Sequence, residues 1–409
     1  MSDEAPSAAL PPLRRNRDFN LLWVGQVCSE LGTATATLAV PLLVLALTGS
    51  AVQAGAVRTA SAIVGFALRL PAGALVDRWN RRVVMITVDV VRFAGWALLA
   101  ALVLGHRVNL PVIVVIVCVN AAADVLFDPA ESAAIAQIVP VRQRSLAFAR
   151  NEARAYGTGL AGPPLGGLLY GLARAFPFVA NAVSYAISVV TVWTIRTTLR
   201  APQSDRPPQH LLHDMRDGVR HVLGDPFLRA VLIVAAPVNF ATNGSFFVAI
   251  TVLRLSDHSA AEVGIASGVL SIGGFAGAIA AGRIQRWQPS VRSLALLVMS
   301  AFVVGLLAAT GVTTHLIVVI PLALPLILSP AVNAALFGRL STRTPDHLQG
   351  RVSSVVVMFA MAAAALAPII CGALVEVVDG AAAMGLCAAV AAGATVAAML
   401  SRGLRTEAD

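Results

Sequence analysis

Long apolar runs constrain the fold of this chain more than any other feature of its sequence. A helix that crosses a bilayer needs about 20 apolar residues, and such runs recur along the 409 residues with only short polar connections. The chain is 57% hydrophobic and 12% charged, about half the charged fraction of a soluble domain. No soluble core could bury so much apolar sequence, so we predict an all-α membrane protein.

The runs predict twelve transmembrane helices, which we number spans 1 to 12. We expect them near residues 19–47, 51–76, 82–105, 110–138, 146–172, 175–196, 228–253, 260–282, 291–312, 315–338, 352–376 and 380–401. Span 1 is too long for the apolar part of a cleavable signal peptide, so no targeting peptide is expected.

Arginine is distributed unevenly between the two sets of loops. It recurs near both termini and in the loops that follow even-numbered spans, whereas the opposite loops hold mainly Arg107, Arg174 and Arg254. The positive-inside rule therefore places both termini in the cytoplasm of a multi-pass cell-membrane protein. Since this bias accounts for the net charge of +9, we expect the lipid bilayer and not nucleic acid as a partner.

The two halves of the chain resemble each other at a constant offset of 205 residues. The matched pairs are Arg78 and Arg283, Arg81 and Arg286, Pro140 and Pro345, Pro163 and Pro368, and Gly167 and Gly372. This repeat predicts two pseudo-symmetric six-helix bundles, with a binding site between them near the midplane of the bilayer.

The repeat also divides the chain into segments. We expect a cytoplasmic tail at 1–18, an N-terminal bundle at 19–197, a cytoplasmic linker at 198–226, a C-terminal bundle at 227–402 and a tail at 403–409. In the linker, Leu211, Met215, Val219 and Val222 share one helical face, which is typical of a helix lying on the membrane surface. Its histidines favour a solvated face over a metal site, and neither a metal nor a cofactor is expected.

Charged residues at membrane depth are costly and mark candidate functional sites. Those of this chain lie in the first five spans. Glu30 is the leading candidate for proton coupling because it lies near the middle of span 1. The alternative is a glutamate permanently paired with an arginine such as Arg58, or hydrogen-bonded to neighbouring helices.

Asp124, deep in span 4, is the second candidate for proton coupling. An ion pair with Arg92 or Arg154 is the structural alternative. Asp89 and Arg92 lie three residues apart on one helical face, so they either belong to the coupling machinery or neutralise each other.

The loop between spans 2 and 3 carries the pattern G-x-L-x-D-R-x-x-R-R over residues 73–82. It resembles the corresponding loop of major facilitator superfamily transporters, and other segments resemble the branch that contains macrolide exporters and the enterobactin exporter. The resemblance implies the major facilitator fold and a cytoplasmic gate, with Asp77 at the start of span 11 and the loop arginines paired with acids of span 4. The gate residues are Gly73, Asp77, Arg78, Arg81, Arg82, Asp128 and Glu131; the alternative is topogenic charge.

Span 5 carries a stretch that resembles the Gly-Pro motif of facilitator exporters. Its matching residues are Gly162, Pro163, Gly166 and Gly167, but Thr158 stands where a glycine is expected. Small residues allow close helix packing and proline bends the span, so the stretch either seals the interface or is generic packing. Span 4 lacks the arginine of the R-x3-G motif of drug/proton antiporters, and Asn80 replaces the usual loop glycine.

Residues that could face a central cavity come from three spans. By depth they are Gln26, Glu30, Asn239, Phe240, Asn243, Phe246 and Asn333; each could equally serve helix packing. A mostly apolar cavity with few polar anchors suits an amphipathic small molecule, cationic if Glu30 is exposed and ionised.

The sequence lacks the P-loop of ATP-driven pumps and the HExxH and GxSxG patterns of hydrolases, so neither an ATPase nor an enzyme is expected. We predict a monomeric secondary transporter that exports a drug, macrolide, siderophore or secondary metabolite by proton antiport. The rivals are an uptake permease or uniporter and, in a different class, a membrane receptor or assembly partner without transport.

Overall fold

The structure is a computed structural model that describes residues 12–76, 79–199, 219–286, 290–344 and 349–405. Every regular element within these ranges is helical. Single helices form eleven of the spans: Arg17–Thr48, Ala51–Val76, Arg81–Leu104, Leu110–Ile138, Arg144–Leu172 and Phe176–Trp193 for spans 1 to 6, and Pro226–Leu255, Ala260–Arg286, Val291–Thr310, Gln349–Val377 and Gly380–Leu400 for spans 7, 8, 9, 11 and 12.

Span 10 is not the single helix that the apolar run predicted. It consists of a 3-10 turn at Leu316–Val318, a short helix at Val319–Ala323, a second 3-10 turn at Leu324–Ile327 and a helix at Ser329–Arg343. Pro321, Pro325 and Pro330 cause the breaks, because proline lacks an amide donor and clashes with the preceding turn.

Eleven segments in the described ranges are long and apolar enough to cross a membrane, and span 5 is the predicted span that is absent from this set. It has the length, but glycines, prolines and charged residues make it less apolar. Span 5 packs between spans 1 and 8, so neighbouring helices cover much of its polar surface.

Polar side chains fix where several spans begin. The Asp225 and Asp379 carboxylates each accept a hydrogen bond from a first-turn amide at 2.7 Å, and the Asn16 and Asn109 side chains do the same at 3.1 Å. Such caps satisfy amide groups that have no partner within the helix. Span 1 ends at Gly49, whose positive φ of 67° suits glycine.

The helix packing of the first six spans recurs in the last six. Span 1 packs on spans 5 and 6 as span 7 packs on spans 11 and 12, and span 3 packs on span 6 as span 9 packs on span 12. The halves meet mainly where span 2 packs on span 11 and span 5 packs on span 8. These paired contacts confirm the predicted fold of two pseudo-symmetric bundles.

The linker helix falls mostly outside the described residues, and so do Leu211 and Met215. Residues 219–224 are helical. Val222 is fully buried there, in a cluster formed with the ends of spans 7, 11 and 12.

Candidate functional site

A central cavity of about 630 Å³ lies where spans 2 and 11 face each other, with spans 4 and 7 beside them. Its wall follows span 2 from Arg58 to Arg69 and span 11 from Pro368 back to Ser354. The cavity therefore extends from the middle of the bundle towards the end that carries Asn80, which we call the Asn80 face. We call the opposite end the Gly49 face.

A smaller cavity of about 160 Å³ is enclosed by spans 1, 2, 5, 7 and 8. Arg58 and Asn243 line both cavities. Pro163 and Phe246 also line the smaller one. The two spaces thus adjoin at Arg58 and Asn243.

The structure divides the residues predicted to face the cavity. Asn243 lines both cavities and Phe246 lines the smaller one. Gln26 instead is buried inside the N-terminal half, where it donates a hydrogen bond to the Ser188 hydroxyl at 2.9 Å. Glu30 is absent from the described lining residues of either cavity because its carboxylate is turned towards span 5.

Three further predicted residues lie outside the described lining. The Asn239 amide donates to the Ala235 carbonyl of its own helix at 2.9 Å, and Phe240 packs against the central apolar core. Asn333 is exposed on the helix that follows the breaks in span 10. Whether such a residue faces the cavity depends on the rotation of its helix about the helix axis, and depth along the span does not give that rotation.

One buried arginine, Arg154 of span 5, joins three helices of the N-terminal half. Its guanidinium lies 2.9 Å from the Glu30 carboxylate of span 1 and 2.8 Å from the Glu131 carboxylate of span 4. The Thr158 hydroxyl donates to Glu30 at 3.2 Å. Glu30 is therefore paired with an arginine, but with Arg154 and not with Arg58.

A second buried arginine, Arg92 of span 3, is arranged in the same way. Its guanidinium lies 3.1 Å from the Asp89 carboxylate and 2.5 Å from that of Asp124 on span 4. Asp89 also accepts a hydrogen bond from the Ser188 hydroxyl of span 6 at 2.6 Å, and Gln26 of span 1 extends this chain. The ion pairs considered for Asp89 and Asp124 are both present.

The Arg154 network and the Arg92 network have the same composition. Each holds one arginine and two carboxylates, so with both acids ionised each carries a net charge of −1. In each, one acid is more accessible: the Glu30 side chain is 32% exposed against 11% for Glu131, and Asp124 is 47% exposed against 0% for Asp89. Each network can bind a proton without losing its arginine.

The predicted gate is only partly visible. Asp77 and Arg78 lie outside the described residues, and Gly73 lies in the last turns of span 2. Arg82 donates to the backbone carbonyls of Ile195 and Thr197 at 2.5 and 2.9 Å.

The two acids expected to pair with the loop arginines are placed differently. Glu131 pairs with Arg154 of span 5. Asp128 is exposed and lies within electrostatic reach of Arg69 and Arg92. Arg81 is buried at the start of span 3.

Glycines bring the two halves into close contact towards the Gly49 face. A Cβ on Gly264 of span 8 would lie 2.7 Å from the Pro163 carbonyl oxygen and 2.8 Å from the Gly167 Cα. The contact between spans 2 and 11 has the same pattern, because a Cβ on Gly55 of span 2 would collide with the Pro368 carbonyl of span 11. The Gly-Pro stretch therefore packs half against half.

The same stretch also packs within its own half. A Cβ on Gly166 would lie 2.7 Å from the Thr35 carbonyl oxygen of span 1, and one on Gly162 would collide with Ala34. At the Gly49 face itself, Glu376 of span 11 accepts hydrogen bonds from the Ser50 hydroxyl at 2.8 Å and the Val52 amide at 3.0 Å. The halves are thus joined at this end, while the large cavity extends to the other.

Sequence reasoning missed the wall position of Arg58, which it considered only as a partner for Glu30. It also missed Glu376, which lies at the end of an apolar run and carries no motif. Within the described ranges, no group of three or more His, Cys, Asp or Glu is arranged to hold a metal ion.

Comparison with known proteins agrees with this architecture. Residues 22–368 match the family model described as Major Facilitator Superfamily. The multidrug efflux pump Tap of Mycolicibacterium fortuitum is 26% identical over 87% of this chain and 88% of its own length. Macrolide efflux protein A of Streptococcus pyogenes is 24% identical over 82% of this chain and 84% of its own.

Solved structures show the same fold at low identity. A bacterial homologue of the iron transporter ferroportin, in an inward-facing state, covers 94% of this chain and 98% of its own with a TM-score of 0.74 at 15% identity. The nucleoside transporter NupG covers 95% of this chain and 99% of its own with a TM-score of 0.73 at 14% identity.

Proposed function

The chain belongs to the Major Facilitator Superfamily, and from this membership we propose that it is a secondary active exporter of a hydrophobic or amphipathic small molecule. The observation that carries export is the similarity, over more than four fifths of the chain, to relatives named as a multidrug efflux pump and a macrolide efflux protein. Drugs, macrolides, siderophores and secondary metabolites are the substrate types that such a site would accept.

Alternating access is the proposed mechanism. The halves touch through glycines and through Glu376 at the Gly49 face, and the large cavity extends towards the Asn80 face. Rocking of one bundle against the other would separate the halves at the Gly49 face and close the cavity at the Asn80 face. The loop arginines and Asp77 would latch the closed Asn80 face.

Proton antiport is proposed to act through the two arginine networks. In each, the more accessible acid, Glu30 or Asp124, takes the proton, and the arginine stays paired with the buried acid. Because Arg154 and Glu30 connect span 5 to span 1, protonation of Glu30 would loosen the helix that carries the Gly-Pro stretch. This step would couple proton binding to movement at the interface between the halves.

The orientation proposed from the arginine bias places the Asn80 face and both termini in the cytoplasm. The conformation is then open to the inside. The segment boundaries expected from the sequence, with bundles at 19–197 and 227–402, and a monomer in the lipid bilayer belong to the same proposal.

Export is tested in a pump-deficient bacterial strain by the accumulation of a panel of cationic, neutral and anionic antibiotics and dyes. Expression of the protein should lower the steady-state accumulation of at least one compound of the panel, and Glu30→Gln should restore that accumulation. Glu152→Gln is the matched control, since Glu152 is an exposed carboxylate of span 5. Equal accumulation with and without the protein, over a panel of antibiotics and dyes, would contradict export, and raised accumulation would indicate uptake.

Coupling is tested separately in proteoliposomes. An imposed pH gradient, acidic on the side that receives the substrate, should accelerate transport several-fold. Transport that proceeds equally with and without the gradient would exclude proton antiport and favour a uniporter.

A further inference from the structure

The wall of the central cavity is positively charged. Arg58 lines both cavities and Arg69 lines the larger one, and none of the described residues that line either cavity is acidic. Four acids of the N-terminal half are paired with Arg92 and Arg154, and Asp128 lies near Arg69 but is not among the described lining residues. The charges on the described cavity wall are therefore those of Arg58 and Arg69.

Arg58 differs from Arg92 and Arg154 in having no partner among the residues that the structure describes. It forms no hydrogen bond or ion pair with any residue that the structure describes, whereas Arg92 and Arg154 each bind two carboxylates. An unpaired charge at membrane depth is costly and marks a functional position. A guanidinium offers a planar fork of donors that matches a carboxylate or a similar oxyanion.

The surroundings of Arg58 suit the rest of an amphipathic molecule. Phe66, Met358 and Met361 form an apolar wall along the larger cavity, and methionine adapts to irregular ligand shapes. Asn243 adds one polar group to the lining that contains Arg58, and its side-chain amide donates one hydrogen bond to the Asn239 carbonyl at 3.1 Å. The other polar side chains of the described lining are hydroxyls, those of Ser61 and Ser354 in the larger cavity and of Thr37, Ser267 and Ser271 in the smaller one.

We propose that the substrate is an amphipathic organic anion, whose charged head binds Arg58 and whose apolar body lies along Phe66, Met358 and Met361. Arg69, exposed nearer the Asn80 face, attracts the anion as it enters. This inference rests on the proposed function, since it takes the central cavity as the substrate site. It reverses the cationic substrate expected from Glu30, because Arg154 already pairs with that carboxylate.

The test uses three dansyl probes that share a fluorophore and differ in charge: dansylglycine, dansylamide and dansylcadaverine. Fluorescence titration of the purified full-length protein in nanodiscs gives their dissociation constants. We expect the anion dansylglycine to bind about tenfold more tightly than the cation dansylcadaverine, the size of one charge-assisted contact. Arg58→Gln should abolish the difference and Arg58→Lys should keep part of it.

The controls separate recognition from folding. Arg174→Gln removes an exposed arginine at the Gly49 face and should leave all three dissociation constants unchanged. Unchanged binding of the neutral dansylamide to Arg58→Gln would show that the variant keeps a folded cavity. A preference for the cation, an anion preference that survives Arg58→Gln, or no binding of any probe would overturn the inference.

Failure of this inference is distinguishable from failure of the proposed export. Arg58-dependent binding of dansylglycine without export of any compound from cells would leave the anion site standing and remove export. Export of a compound of the panel without an anion preference would do the reverse.

Discussion

The N-terminal and C-terminal bundles share one helix packing but differ in the charge of their interiors. Arg154 pairs with Glu30 and Glu131 in the first bundle, whereas the residue 205 positions after Arg154 is Phe359. Since the second bundle reaches the same packing without such a network among its described residues, the fold does not require these charges. Their cost at membrane depth is therefore explained better by function, and the first bundle is the place to look for ion coupling.

The largest effect should follow from removing Arg154, the arginine that Glu30 and Glu131 of the N-terminal bundle share. Arg154→Gln leaves Glu30 and Glu131 near each other without a cation, and breaking a buried pair in this way costs about 3–5 kcal/mol. Phe359→Leu, at the related position of the C-terminal bundle, should cost about 1 kcal/mol or less because Phe359 is 45% exposed and changes at exposed positions have small effects. Thermal unfolding of both variants in detergent measures the difference.

Equal destabilisation by the two changes would remove the contrast between the halves. Loss of expression for Arg154→Gln would be resolved with Arg154→Lys, which keeps the charge and should regain most of the stability.

A smaller effect is expected where the halves touch. Gly167→Ala places a Cβ against the backbone of span 8 near Gly264, and such overpacking costs about 1–3 kcal/mol. Because the clash arises only while the Gly49 face is closed, the variant should spend more time open to that face. Labelling of a cysteine introduced at Ser271, in the smaller cavity, by an impermeant maleimide added from that face should accelerate.

Gly157→Ala is the matched control for this prediction, since a Cβ on Gly157 has nothing within 4 Å. It should leave the labelling rate unchanged. The idea that glycine closes the interface would be abandoned if both alanine variants behaved alike.

The third prediction separates ion coupling from substrate binding. Glu30→Gln should abolish the acceleration of transport by a pH gradient, and it should cost about 1 kcal/mol or less because Glu30 is partly exposed and glutamine still accepts a bond from Arg154. Asn243→Ala, in the C-terminal bundle, should raise the KM for substrate about threefold and leave the pH response intact. Loss of the pH response in Asn243→Ala instead would place coupling in both halves.

The smallest effect is expected at the exposed contact between Glu376 and the start of span 2. Glu376→Gln weakens two hydrogen bonds that connect the C-terminal bundle to Ser50 and Val52. Maleimide labelling of the cysteine at Ser271 should increase slightly, by less than for Gly167→Ala. Slower labelling would mean that this carboxylate opposes closure of the Gly49 face.

The position of most helices could be read from the sequence because hydrophobicity, capping residues and glycine act over a few neighbouring residues. Asn16, Asn109 and Asp379 end the polar connections where the spans begin. Pro321, Pro325 and Pro330 also carried a readable signal for the breaks in span 10, which the apolar run outweighed. The sequence gives no signal for the direction in which the Gln26 side chain points, because a buried hydrogen bond to Ser188 of span 6 decides it.

The amino-acid sequence by itself determined that this chain spans the membrane many times, that its halves are related and that its deep charges lie in the first half. Only the tertiary structure decided that Glu30 binds Arg154 while Arg58 remains on the cavity wall. The physical reason is that apolar periodicity depends on residues close in the sequence, whereas an ion pair depends on how separate helices are rotated against each other. For Glu30 and Arg154, that rotation joins residues more than one hundred positions apart.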